Sequence, residues 1–236
     1  MKAFLIYAES ETYRKDHVAK LMADAPFAVE KVDAVYPDRQ HVPFRDALLR
    51  VSKERTGKTL LMGELGCLLS HRRVWTKILR EARNDQDHFL VFESDSMIED
   101  PQFLRDHFSS LSQKKDLFFW GAWEGHMKFF NSNQKAIADS HVVGEPFIKT
   151  VYCTYGYSLN RKAAKLLLNR TRKISHPVDQ FKYFFTQKEL ELGGVLPEVI
   201  TGNKINSTIR GKENALFKQI FLSLLDIKNN IICSLR

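Results

Sequence analysis

His88-Phe89-Leu90-Val91-Phe92-Glu93-Ser94-Asp95-Ser96-Met97-Ile98-Glu99-Asp100 is an apolar run that turns acidic without a break. The residues from His88 to Phe92, aromatic and aliphatic apart from the histidine, predict a short buried strand. Glu93 and Asp95 stand two apart, and in extended backbone such side chains point to the same side. Two carboxylates at the carboxyl end of a buried strand can share a hard divalent cation, with nucleotide phosphates completing its shell. The same letters also fit a helix start, with Ser96 or Asp100 as the cap and the acids favoured by the helix dipole.

Upstream, Ala3 to Tyr7 predicts an opening strand, and a helix of about a dozen residues follows Ala8-Glu9-Ser10, with Val18, Leu21 and Met22 at core spacing. Arg14 and Lys15 fall in its first turns, where the dipole does not favour cations; they read either as contacts to a nucleotide diphosphate or as a solvated face. Phe27 to Val35 predicts a second strand with Asp33 near its end. Open α/β sheets bind ligands at such ends, so Asp33 could meet ribose or base, or could simply cap a loop. Tyr36 to Lys58 reads as a surface excursion with one short helix, Ala47 to Ser52. Gly63-Glu64-Leu65-Gly66-Cys67-Leu68-Leu69-Ser70-His71 opens a long helix whose Leu65, Leu68, Leu69, Trp75, Ile78, Leu79 and Ala82 make one apolar stripe. Gly66 permits close backbone approach to another element or to a ligand. His71 lies on the flank of the stripe, as a hydrogen-bonded core residue or a site residue.

Downstream, Pro101 to Leu111 predicts a helix with proline near its start. Asp116 to Trp120 predicts another buried strand, running into Gly121-Ala122-Trp123-Glu124-Gly125-His126. Those residues read as a sugar platform or as core aromatics beside a turn. Lys128 to Ser140 reads as a polar loop. Asn160 can cap a helix from Arg161 to Asn169, and His176-Pro177-Val178-Asp179 predicts a further helix start. Asp179 there is a dipole-favoured acid or a catalytic carboxylate. Val195 to Ile200 predicts a last strand, with a loop over Asn206 to Arg210.

With 236 residues, 44% hydrophobic and 27% charged, the chain has the composition of a globular protein able to bury a core. The net charge of +8 favours anionic partners, but no basic arm or recognition spacing points to nucleic acid. Cys67, Cys153 and Cys233 are widely spaced without a CxxC, which indicates a reducing compartment and neither a disulfide framework nor a zinc site. The first apolar run is too short for a signal peptide, and no run approaches a membrane span; the expected location is cytoplasmic. The residues fall into a domain over 1–213 and a tail over 214–236. In the tail, Leu216, Phe217, Ile220, Phe221, Leu224, Leu225, Ile227, Ile231, Ile232 and Leu235 share about half a helix circumference at 100° per residue. That amphipathic helix reads either as an in-plane anchor on an anionic membrane surface or as a helix docked on its own domain or on a twin subunit in a homodimer.

Several of these stretches, in this order over roughly residues 1–210, resemble glycosyltransferase family 25. Gly63 to His71 resembles its signature helix start, Phe92-Glu93-Ser94-Asp95 its Leu-Glu-Asp-Asp, Tyr157 to Ala164 its strand-to-helix motif and Pro177-Val178-Asp179 its Pro-Val-Asp. Arg14 with Lys15, and Asp33-Ala34-Val35, resemble its N-terminal markers. The resemblance implies an α/β type A glycosyltransferase fold with a Rossmann-like nucleotide-binding sheet. It implies inverting transfer of a hexose, most often galactose from a UDP-sugar donor, to a lipooligosaccharide acceptor on the anionic inner-membrane surface. Ser94 departs from the family's first Asp, so the implied Mn²⁺ or Mg²⁺ would rest on Asp95 with Glu93 as helper. Arg14, Asp33, Ser70, His71, Glu93 and Asp95 are the implied donor-site residues, with Arg210 as a further source of positive charge. Asp179, in a family motif, and Glu124, at a strand end, are the candidate bases. The other reading is a non-catalytic sugar-nucleotide or lipopolysaccharide-binding protein on the same fold, with Ser94 marking lost catalysis.

Overall fold

The structure, a computed structural model, describes residues 2–123, 125–137, 140–202 and 215–235, the last with side chains from residue 225 on. Its first half runs β1 (Lys2–Tyr7), α1 (Lys15–Asp24), β2 (Ala28–Asp33), α2 (Arg45–Thr56), α3 (Met62–Glu81), β3 (Phe89–Glu93), β4 (Ser96–Ile98) and α4 (Pro101–Ser112). The second runs β5 (Leu117–Gly121), β6 (Lys135–Ile137), β7 (His141–Gly144), β8 (Gly156–Leu159), α5 (Arg161–Arg170), β9 (Leu192–Leu196), β10 (Ile200–Gly202) and α6 (Ala215–Ser234).

Eight strands form one mixed sheet in the order β2-β1-β3-β8-β5-β9-β7-β6, and β4 pairs with β10 in a second, small sheet. β1 is parallel to both β2 and β3, whereas β8 lies antiparallel between β3 and β5. This is the expected α/β architecture.

The central strands read as continuous apolar runs because both faces are covered, and alternate residues serve different layers. Phe4, Ile6, Phe89, Val91, Leu117 and Phe119 pack on one face with Leu65, Leu68, Trp75 and Ile78 of α3 and Ala163 and Leu167 of α5. Ala3, Leu5, Leu90, Phe92, Phe118 and Trp120 pack on the other with Val18 and Leu21 of α1 and Phe103, Leu104 and Phe108 of α4. The chain therefore leaves β1 across one face to reach β2 and arrives at β3 across the other. That reversal opens a crevice at the carboxyl ends of β1, β2 and β3.

Local chemistry sets the helix starts. Asp100 caps α4 by accepting from the Phe103 amide at 2.8 Å, with Pro101 in the first turn. Asn160 caps α5 through the Ala163 amide at 2.9 Å. Ser96 caps nothing: it lies in β4, accepts from the Glu93 amide and donates to the Tyr155 carbonyl. Gly66 makes the close approach that its place in α3 suggests, since a Cβ there would lie 2.3 Å from the Val35 carbonyl oxygen.

Other segments depart from expectation. α2 is longer than Ala47 to Ser52. The polar loop of residues 128–140 contains β6, an edge strand paired with β7. No α-helix begins at Pro177; Val178, Phe181 and Phe184 recur every third residue, the period of a 3₁₀ turn, and all are buried around the 3₁₀ helix Phe181–Tyr183. The expected last strand is two, β9 and β10, divided around Pro197, which has no amide to donate to a ladder. The loop at residues 206–210 lies outside the described residues.

His88, just before β3, is 8% exposed, and burial pushes its imidazole from 6.5 down to about 4, with Asp116 offsetting only part. A folded-state value below the unfolded one means the unfolded chain binds more protons below pH 6.5. Stability from this group is thus full above pH 6.5 and is lost as pH falls toward 4. Between pH 7.5 and 4.5 the loss is about 2.5 kcal/mol. Denaturant unfolding of wild type and His88→Leu at both pH values checks this: the variant should lose less stability on acidification by about that amount.

Candidate active site at the ends of the first three strands

The crevice is a cleft of about 560 Å³. It is lined by Ile6 of β1, residues 10–14 except Thr12, residues 34–39 after β2, the start of α3, and Glu93-Ser94-Asp95 at the end of β3.

Arg14 ends the 3₁₀ helix Thr12–Arg14 ahead of α1 and is 6% exposed. Its Nη1 donates to Ser94 Oγ at 2.7 Å and lies 3.9 Å from Asp95 Oδ2, while its Nε is 3.5 Å from Glu11 Oε2. Ser94 thus has a definite task, accepting from the guanidinium and leaving it singly positive between Glu11 and Asp95. Asp95 Oδ1 is buried and accepts no hydrogen bond among the described residues. Burial first, and then the neighbouring Glu93, push the Asp95 carboxyl up to about 6 against the pull of Arg14.

Glu93 has different surroundings. Residues 94–95 form a turn, so the strand parity that would align the two acids ends at Glu93. Its Oε1 accepts from His71 Nε2 at 3.1 Å, from Thr154 Oγ1 and from Cys67 Sγ at 3.7 Å. Burial opposes its charge, but these donors, His71 foremost, outweigh burial and hold the carboxyl below its ordinary range. The two acids are therefore split: Glu93 is a carboxylate held by protein donors, and Asp95 has an oxygen to offer.

His71 is fully buried, with Nδ1 2.7 Å from the Tyr157 hydroxyl, which also accepts from Trp75 Nε1 at 2.9 Å. Nε2 faces the Glu93 carboxylate and so carries the ring proton, which in the neutral ring leaves Nδ1 to accept from the Tyr157 hydroxyl. His71 is thus both a core residue and a support of the cleft floor. Ser70 lines the cleft, but its hydroxyl is engaged twice, accepting from the Val35 amide and donating to the Gly66 carbonyl. Asp33 is exposed and lines a separate groove with Lys31, Arg72 and Arg73, whereas Ala34 and Val35 face the cleft. Lys15 is exposed at the start of α1.

Asp179 is half-buried in the turn before the 3₁₀ helix Phe181–Tyr183, near enough to Cys67 to help push its thiol up, after burial and Glu93. Glu124 and Arg210 lie outside the described residues. Trp120 is no sugar platform: it is fully buried and donates to Ser158 Oγ. Trp123 is half-buried in a cluster with His126 and Tyr152, at centroid distances of 4.6 and 6.4 Å.

Glu11, Cys67, Thr154 and Tyr157 have parts in this site that the sequence did not assign. Cys67 and His71, one helical turn apart ahead of an acidic strand end, were a signal available in the sequence. Thr154 sits in irregular backbone without any motif.

Comparison with known proteins gives two findings. The family model described as Glycosyltransferase family 25 (LPS biosynthesis protein) matches residues 1–182. A "Glycosyltransferase 25 family member" of Anopheles gambiae is 31% identical over 132 residues, which is 52% of this chain and 20% of that protein. The match thus spans about a fifth of the length of that relative.

Proposed function

Since the chain belongs to glycosyltransferase family 25, we propose that it moves a hexose, galactose from UDP-galactose in the first instance, to a saccharide hydroxyl of a lipooligosaccharide acceptor, with inversion. The observation that carries this reading is the cleft at the switch point, with buried Arg14 and an uncommitted oxygen of Asp95 at its wall. A donor diphosphate needs positive charge where it sits, and a buried guanidinium supplies it in fixed orientation.

The chemistry at Asp95 suits a hard cation, Mn²⁺ or Mg²⁺, because a buried carboxylate oxygen that accepts no hydrogen bond among the described residues is a donor such an ion would satisfy. When bound there, the ion supplies neutralisation of the charge that builds on the departing diphosphate. Glu93 contributes negative charge, with Oε1 already engaged by His71, Thr154 and Cys67. Arg14 orients the diphosphate, and Ser94 holds Arg14. Inversion in one displacement requires a base for the acceptor proton; Asp179, close enough to Cys67 for its charge to push that thiol up, is the proposed base.

The acceptor is a membrane glycolipid in this reading, and α6 supports it. Asp226, Asn229 and Cys233 turn inward, with Asp226 3.5 Å from His126 and Cys233 packed on Phe130 and Phe147. Ile227, Ile231 and Leu235 stand 58%, 55% and 81% exposed along the outer side. From residue 225 on, the helix is thus docked and still presents an apolar stripe suited to the boundary of an anionic bilayer; no helix among the described residues is long and apolar enough to cross a membrane. An Ile227→Lys, Ile231→Lys double variant should lose at least tenfold in co-sedimentation with anionic vesicles while its melting temperature is kept. Equal co-sedimentation would remove the membrane role.

The test of the transfer itself is incubation with a panel of UDP-hexoses and truncated lipooligosaccharides, read by mass spectrometry. One donor should add one hexose to one acceptor. No product and no donor consumption would leave a binding protein.

A further inference from the structure

We infer that Cys67, His71 and Glu93 form a binding site for a borderline-soft divalent cation, zinc, beneath the donor cleft. Cysteine spacing disfavours zinc only where cysteines would bind in pairs. Here one cysteine and one histidine, four residues apart on α3, share a helix face, and β3 brings a carboxylate against them. Among the described residues, these three offer ligand atoms that all lie within 4.8 Å of one another.

The spacing fits the ion. Bonds of about 2.0–2.3 Å to nitrogen, oxygen and sulfur in a tetrahedron place neighbouring ligand atoms about 3.3–3.7 Å apart. His71 Nε2 lies 3.1 Å and Cys67 Sγ 3.7 Å from Glu93 Oε1. Sulfur, imidazole nitrogen and carboxylate oxygen together suit zinc better than magnesium or manganese, which take oxygen. All three cysteines are free thiols, so Cys67 is available. Cys67 and Glu93 line the cleft while His71 is buried behind them, which leaves the fourth position of the tetrahedron toward the cleft.

The shell around the histidine is also in place. A ligating histidine usually bonds its other nitrogen to a partner that fixes the ring, and the Tyr157 hydroxyl is 2.7 Å from His71 Nδ1. Without metal, Tyr157 donates to Nδ1 and Nε2–H faces Glu93. On binding, the proton leaves Nε2 and one is carried on Nδ1, which then donates to Tyr157. The phenolic oxygen has two lone pairs, enough for this bond and the one from Trp75. The imidazole remains neutral, the Cys67 thiol loses its proton, and one proton is released for each ion bound. Thr154 keeps its hydrogen bond to the carboxylate.

The test uses the full chain, stripped with chelator, loaded with Zn²⁺ and desalted. Wild type should retain about one zinc per chain and release one proton on titration at neutral pH. Co²⁺ in its place should show a thiolate-to-metal absorption band. Cys67→Ser, a near-isosteric change at a half-buried position, should lose the band and bind zinc at least tenfold more weakly, with an unchanged circular dichroism spectrum. Asp95→Asn should retain zinc like the wild type. The inference is overturned if wild type keeps no zinc, if Cys67→Ser keeps as much as wild type, or if Asp95→Asn abolishes retention, which would assign the ion to the outer carboxylate. None of these readouts depends on turnover, so the site and the proposed transfer can fail separately.

Discussion

Asp95→Asn is expected to lower transfer, as kcat/KM for the donor, by about 10²–10³-fold while leaving the fold intact. Losing one preorganised electrostatic contact to a developing charge costs about that much. The substitution keeps the size of the side chain and replaces the oxygens with an amide that cannot hold a hard cation well. Asp95 is 23% exposed and its only close ion pair among the described residues is the 3.9 Å approach to Arg14, so little of the core depends on it. A melting temperature within a few degrees of wild type, with donor turnover reduced, is the expected pair of results. Retained turnover would remove Asp95 from the chemistry. The same carboxyl sets a pH dependence. Because it is raised to about 6, protons compete with the cation below pH 6. Apparent Mn²⁺ affinity should therefore fall up to tenfold per pH unit below that value, and level off above it.

Arg14→Met is the second large effect, about a 10²-fold loss in kcat/KM, seen mainly as weaker donor binding. A buried charge-assisted donor is worth more than a surface one because little water competes for it. Arg14 is 6% exposed and is held from three sides by Ser94, Glu11 and Asp95. Methionine keeps much of the stem and removes the charge. It also removes the group that pulls the Asp95 carboxyl down, so the acid limb of the pH profile should move to higher pH. Ser94→Ala should cost less, because the guanidinium keeps both acids. Full activity of Arg14→Met, with the acid limb unmoved, would separate this arginine from the donor site.

The strands β3 and β5 were legible because they are short apolar runs ending in an acid and a glycine, and α3 was legible from its one apolar stripe. Phe89 to Phe92 and Leu117 to Trp120 are buried on both faces, and that burial is written in continuous hydrophobicity. The caps at Asp100 and Asn160 were legible for a local reason, since each bonds an amide three residues on. The segment after Pro177 was not, because apolar residues three apart satisfy a 3₁₀ turn as well as a helix. The break at Pro197 had a signal, a residue with no amide for a ladder, but the apolar residues on both sides of it read as one run.

Within the site, Arg14, Glu93 and Asp95 were legible as charges at strand and helix ends. Their division of labour was not. It depends on a turn at residues 94–95 that sends the two carboxylates to different partners, and on Thr154 and Tyr157, which arrive from strand β8 and the irregular chain before it. Asp33 shows the limit of position alone: it ends β2, as expected, yet its side chain is exposed in another groove while its neighbours line the cleft.

In the proposed function, the cleft at the ends of β1, β2 and β3 holds a donor diphosphate through Arg14 and a cation at Asp95. Calorimetric titration of UDP into wild type and Asp95→Asn, with Mn²⁺ and with chelator, tests it most directly. Mn²⁺ should tighten UDP binding to wild type at least tenfold and leave Asp95→Asn near the chelator value. UDP binding equally tight in chelator, or equally strengthened by Mn²⁺ in both proteins, would contradict it.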